Sequence, residues 1–184
     1  LSDLHISLAV RCLCSGGVIA YPTEAVWGVG CDPWNEQAVY RLLAIKQRPV
    51  NKGLILVASS IHQLWPLYDP LTDGQKAALD QTWPGPNTWL LPDPNNLVPD
   101  WIKGEHRSVA IRVSAHPLVA ALCERFGSML VSTSANLAGE PEIRSRVKLE
   151  IKLGAKLDLV VPGQLGRQSQ PSTIRDLASG RIFR

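Results

Sequence analysis

The sequence predicts an α/β protein: an open, twisted, mixed sheet with flanking helices. Two observations carry that expectation. Apolar runs of strand length alternate with segments of helical spacing along most of the chain. Clusters of Gly and Pro separate them, the strongest being Trp83-Pro84-Gly85-Pro86.

The elements follow in order. Ile6 to Leu13 has helical apolar spacing, and Ser15-Gly16-Gly17 stops it. Val18 to Tyr21 reads as a short buried strand cut off by Pro22. Asn35 to Lys46 is an amphipathic helix with Asn35 as its cap, and Pro49 forbids much continuation. Gly53 to Ala58 is a continuous apolar strand, buried on both faces. Short helical patterns cover Ile61–Leu67 and Asp73–Trp83. Thr88–Leu91 and Ser108–Val113 read as strands. Pro117–Phe126 is a helix with Pro in its first turn and Gly127 beyond its end. Met129–Thr133 is a strand that runs into Ser134-Ala135-Asn136. Arg144–Leu153 is a charged surface helix, and Leu159–Val161 and Ser172–Ile174 are short late strands.

The 184 residues suit one domain, 1–184, with a core that needs no staples. The net charge of +3 is compatible with an anionic substrate or RNA and establishes neither. Cys12, Cys14, Cys31 and Cys123 form no C-x-x-C pair and the histidines are scattered, so buried free thiols in a reducing cytosol are expected rather than a zinc site. No apolar run approaches the ~20 residues of a membrane-spanning helix. The usual P-loop is absent, and Gly28-Val29-Gly30 fails as a dinucleotide fingerprint because Pro33 holds the third glycine position.

Four clusters remain. Lys46, Arg48 and Lys52 lie within seven residues at an exposed helix end. Complementing the helix dipole explains that placement; a clamp for polyphosphate is the functional alternative. Ser132-Thr133-Ser134-Ala135-Asn136 follows an apolar strand. It is either ordinary turn chemistry or a set of neutral donors beyond a strand end, where α/β folds bind ligands. Tyr21-Pro22-Thr23-Glu24 also closes a strand. Arg112 sits within an apolar strand and needs a partner, either an acid such as Glu24 or Asp176 or a substrate carboxylate.

Tyr21-Pro22-Thr23-Glu24, Gly28-x-Gly30, Lys46-x-Arg48-Pro49-x-x-Lys52, Trp83-Pro84-Gly85-Pro86-x-Thr88, Arg112-Val113-x-x-His116-Pro117 and Ser132-Thr133-Ser134-Ala135-Asn136 stand in that order, with Ser172-Thr173-Ile174 near the end. Each motif is weak alone. Together, from about Val18 onward, the chain closely resembles the YrdC-like family of threonylcarbamoyl-AMP synthases in its short single-domain form.

The resemblance implies a sheet around a positively lined concave cavity. It implies a nucleotidyltransferase that turns L-threonine, bicarbonate and ATP into threonylcarbamoyl-adenylate and pyrophosphate in the cytoplasm. Mg²⁺ would accompany ATP, with no metal ligand assigned to the protein. Other proteins would then carry the threonylcarbamoyl group to the tRNA adenosine beside the anticodon. By the same resemblance Lys46, Arg48 and Lys52 clamp the triphosphate, the first two being catalytic. Ser132, Ser134 and Asn136 contact the nucleotide, and Thr23, Thr88, Arg112 and Ser172 hold threonine. The chain departs from the family at Val57, where longer relatives have a threonine-contacting His, at Trp27 and at Ala138. The alternative is a non-enzymatic RNA-binding factor in tRNA or ribosome maturation. It draws on Arg144, Arg146, Lys148, Lys152 and Lys156, but lacks the aromatic signature of RNA-recognition sheets. A second rival adenylates a different small acid.

Overall fold

The computed structural model describes residues 2–183; Leu1 and Arg184, the ends of the expected domain, lie outside the described residues. The helices are α1 (Asp3–Cys14), α2 (Glu36–Lys46), α3 (Trp65–Tyr68), α4 (Asp73–Asp80), α5 (Asp100–Lys103), α6 (Pro117–Phe126) and α7 (Arg146–Leu153). The strands are β1 (Ile19–Pro22), β2 (Trp27–Gly30), β3 (Ile55–Ala58), β4 (Asn87–Pro92), β5 (Ser108–Val113), β6 (Leu130–Ser134), β7 (Leu159–Val160) and β8 (Thr173–Asp176). They form one mixed sheet in the order β7-β1-β2-β6-β3-β5-β4-β8. Pairs β1–β7, β3–β5 and β4–β8 run parallel and the other four antiparallel.

Local chemistry sets the boundaries. Asn35 caps α2 by accepting from the Ala38 amide. Thr72 and Gln75 cap α4 reciprocally. Pro117 opens α6, and Gly127 ends it in the left-handed region at φ 80°. The Ile61–Leu67 pattern divides into a 3₁₀ turn, Ile61–Leu64, and α3, which has a proline in its first turn. β1 runs through Pro22 instead of stopping before it. Beyond Ala20 its outer side has no partner, so the missing N–H costs nothing there.

Strand alternation gives the sheet two different faces. On one, Val29, Val131, Leu56, Ile111, Trp89 and Leu91 join the main apolar core under α2 and the segments around it. The other face is divided. Ile19, Tyr21, Val57 and Leu130 pack beneath α1 and α6 in a second cluster. Beyond those helices the cross-strand row Ser132–Ile55–Ala110–Leu90 is left without a helical cover. Val57 therefore belongs to the packed half of that face.

The sequence reading missed β2 altogether. Its Gly30 is a packing requirement: a Cβ there would collide with the Val131 carbonyl and lie 2.7 Å from the Tyr21 hydroxyl. Gly30→Ala is expected to cost about 2–3 kcal/mol in urea unfolding, as overpacked cores do. Gly74→Ala, in open space on α4, should instead be neutral or stabilise by up to about 1 kcal/mol. Equal stabilities for the two variants would contradict this packing.

Candidate active site

The uncovered part of the sheet is the floor of a cavity of about 290 Å³, at the small end of ligand pockets of ~300–1,000 Å³. Ser132, Ile55, Ala110 and Leu90 form the row across it; Ser134 and Gly28, paired between β6 and β2, extend it. Its lining also includes Thr23, Glu24 and Arg112, the cations Arg48, Lys52 and Lys103, and Gln170, Pro171 and Ser172. The strap that carries the last three is tied across β1's end. Gly166 N–H donates to Thr23 O at 2.9 Å, Gln168 N–H to Glu24 O at 3.0 Å, and Arg144 reaches both Ala25 O and Ser169 O.

The basic cluster is not one solvated patch. Lys46 is only 3 % exposed, which corrects its expected place at an exposed helix end. Its ammonium donates to the carbonyls of Ser134 and Asn136, the latter at 2.8 Å. Burial, then the neighbouring Arg48 charge, lowers its pKa to about 8. Beyond it, Gln47 adopts a left-handed conformation at φ 52° and ends α2. This turn brings Arg48 to the cavity, where its guanidinium donates to Gly53 O at 2.9 Å and to Lys52 O at 3.3 Å. Burial lowers the Arg48 pKa as well. Lys52 is exposed at the rim.

The loop bearing Lys52 rests on α5, which sequence reading also missed. A Cβ on Gly53 would lie 2.8 Å from Lys103 O, and one on Gly104 would collide with Asn51 O. Lys103 is itself buried, 3.0 Å from Asp93 and 2.9 Å from Asn96 Oδ1. Asp93 accepts from the Leu97 and Val98 amides, and those bonds with Lys103 outweigh burial and lower its pKa.

Of the other expected residues, Arg112 pairs with Glu24 at 3.2 Å, one of the acids weighed from the sequence. Thr23 gives its hydroxyl hydrogen to Val26 O at 2.7 Å, so it offers a ligand only lone pairs. Thr88 is fully buried behind Ser172, their hydroxyls 2.8 Å apart, and does not itself line the cavity. Nor does Asn136, whose amide donates to Leu137 O and Glu140 O while its buried Oδ1 has no hydrogen-bond partner. Cys31 and Cys123 are buried as expected, but Cys14 is exposed at the end of α1. Among the described residues no three of His, Cys, Asp and Glu gather as metal ligands, and no helix is long and apolar enough to cross a membrane.

An open mixed sheet, one face of which is only half covered, with cations, hydroxyls and a buried carboxylate around a single cavity, defines an α/β protein with a polar cleft. The Sua5/YciO/YrdC family model, described as telomere recombination, matches residues 11–184. The threonylcarbamoyl-AMP synthase of Pseudomonas aeruginosa strain UCBPP-PA14 is 54% identical over 184 residues, covering 100% of this chain and 98% of that protein. That of Marinobacter nauticus is 51% identical over 183 residues, covering 100% and 96%. P. abyssi Sua5 complexed with L-threonine superimposes with a TM-score of 0.91 at 30% identity, over 99% of this chain and 53% of that one. The present chain thus spans about half of that Sua5. E. coli YciO superimposes with a TM-score of 0.83 at 27% identity, over 95% and 84%. The chain belongs to the Sua5/YciO/YrdC family.

Lys46 yields a test in pH. Burial favours its neutral amine, so between about pH 8 and the ordinary lysine range the folded chain binds fewer protons than the unfolded one, and stability rises with pH. From pH 7.5 to 9.5 the urea stability of the wild type should gain about 2 kcal/mol over that of Lys46→Met. A constant or shrinking difference would place the ammonium in solvent.

Proposed function

We propose that this chain is a threonylcarbamoyl-AMP synthase acting as one domain in the cytoplasm. It joins L-threonine, bicarbonate and ATP into L-threonylcarbamoyladenylate and releases pyrophosphate, for threonylcarbamoyl modification of the tRNA adenosine beside the anticodon. tRNA and the downstream transfer proteins are its transient partners. The observation that carries the proposal is a single cavity lined by Arg48 and Lys52 together with Arg112, Thr23 and Ser172. It gains support from full-length identity to proteins named threonylcarbamoyl-AMP synthase and from the fold shared with a Sua5 that binds L-threonine.

The threonine ammonium first gives up a proton, and the amine so formed adds to the carbon of bicarbonate-derived carbon dioxide, giving a carbamate and a second proton. A carbamate oxygen attacks the α-phosphorus of ATP, and the bond to the β-phosphate oxygen breaks. No protein nucleophile is required. The protein positions the reactants and offsets charge. Arg48 and Lys52 take the phosphates, where charge grows as pyrophosphate departs. Ser132 and Ser134 offer neutral hydrogen bonds beside them. Lys46 adds its charge from behind the rim while holding the Ser134–Asn136 backbone, so its catalytic contribution is one of position. Arg112 receives the amino-acid carboxylate, with Thr23 and Ser172 beside it and Thr88 fixing Ser172 from below. The acids at the cavity are Glu24 and Glu142, and Glu24 is engaged by Arg112 and by Ser114. These donors do not fit a resident ion. Mg²⁺ therefore enters only as the companion of the ATP phosphates, and no step is drawn through it.

The RNA-binding alternative gains no support from its basic residues. Arg144 is tied to two backbone carbonyls, Arg146 to Glu150 and Lys152 to Glu140. Three of its five cations are thus held within the chain.

Pyrophosphate release from ATP should require both threonine and bicarbonate; release that ignores them would refute the proposal. Arg48→Ala and Lys52→Ala should each lower kcat/KM by roughly 30- to 1,000-fold, the equivalent of about 2–4 kcal/mol of lost charge stabilisation. Their urea midpoints should stay near the wild-type value. Undiminished turnover in both would remove the phosphate clamp.

A further inference from the structure

The ion pair at the cavity wall is incompletely closed. Glu24 is 7 % exposed and Arg112 8 %. Glu24 Oε1 accepts from the Ser114 hydroxyl at 2.7 Å. Glu24 Oε2 lies 3.2 Å from Arg112 Nη1, but without the direction of a hydrogen bond. Oε2 and Arg112 Nε are both buried with no hydrogen-bond partner. Buried polar atoms are rarely left so, because each forfeits its bonds to water. Here a carboxylate oxygen and a guanidinium N–H are unsatisfied in neighbouring residues that line one cavity.

The complement of such a pair is a zwitterion. An α-amino acid carries its ammonium and carboxylate on one carbon, so the two charges present themselves side by side, as Glu24 and Arg112 do. Placed against them, the ligand carboxylate faces the guanidinium and the ammonium faces the carboxylate, giving four charges of alternating sign. Thr23 adds to the same end, since its hydroxyl has given its hydrogen to Val26 O and can only accept. An ammonium, with three donors and no lone pair, suits both acceptors.

We propose that Glu24 is the receptor for the α-ammonium group of the amino-acid substrate. It thereby selects α-amino acids over hydroxy acids of the same shape and fixes where the reacting nitrogen lies. The proposal rests on the reading of this cavity as a threonine site.

Two probes separate this role from mere support of Arg112: L-threonine and 2,3-dihydroxybutanoate, which keeps the carboxylate and side chain but has a hydroxyl in place of the ammonium. Titration calorimetry on the wild type should show the hydroxy acid binding at least about 10-fold more weakly, as expected for losing a buried charged hydrogen bond. In Glu24→Gln, threonine should weaken by about 10- to 100-fold, while the hydroxy acid should bind as before or more tightly. Equal binding of the two compounds by the wild type would overturn the proposal even if the variant did not fold. A folded variant with unchanged threonine affinity, or with both ligands weakened alike, would overturn it too and leave Glu24 as a support for Arg112. Pyrophosphate release by the wild type is the separate control. If it is absent and threonine does not bind, the cavity's reading fails and the proposal with it. If turnover is normal, a failed ligand pattern condemns the proposal alone.

Discussion

The grip of the Lys46 ammonium on the carbonyls of Ser134 and Asn136 organises the cavity rim. It joins two segments almost ninety residues apart in sequence, the end of α2 and the end of β6. The backbone repeats the link in reverse, since the Ala138 amide donates to Lys46 O at 3.0 Å. With that corner fixed, the left-handed turn at Gln47 aims Arg48 at the cavity, and the loop that follows lies against α5 through Gly53 and Gly104. The cations and the hydroxyls thus share one frame. Burying an ammonium without a counter-charge is costly, and the depressed pKa of Lys46 is the mark of that cost.

The cavity exists because the helical layer is incomplete. α1 and α6 cover only the half of the face where Ile19, Tyr21, Val57 and Leu130 point outward. The remaining half carries Ser132, Ser134, Ser108 and Arg112 at the same alternating positions. A polar group there would be a fault beneath a helix. Here the sheet passes from packed core to cavity wall within single strands: on β3, Val57 packs under α6 while Ile55, two residues away, lies on the cavity floor.

Much of the fold was legible in the sequence. A continuous apolar run marked β3, shorter apolar stretches marked β5 and β6, and Pro117 and Gly127 bracketed α6. β2 escaped because Trp27-Gly28-Val29-Gly30 has two glycines, which weaken any strand signal. Only the structure shows that Gly30 is required by the Val131 carbonyl opposite. The site was legible as residue types but not as geometry. Burial of Lys46 could not be foreseen, because its acceptors are backbone carbonyls and leave no trace in side-chain identity. Glu24 was one of several acids open to Arg112, and tertiary pairing alone made the choice. Asp93 and Lys103 belong to no motif. They become visible only once α5 folds back beneath the loop that carries Lys52.

Whether phosphates and an amino acid lie side by side on the uncovered half of this face is tested most directly by a crystal structure with L-threonine and a non-hydrolysable ATP analogue. Both ligands are expected in the one cavity, the triphosphate against Arg48 and Lys52 and the threonine carboxylate against Arg112. A nucleotide bound elsewhere on the molecule, or two ligands that exclude one another from the same spot, would contradict it.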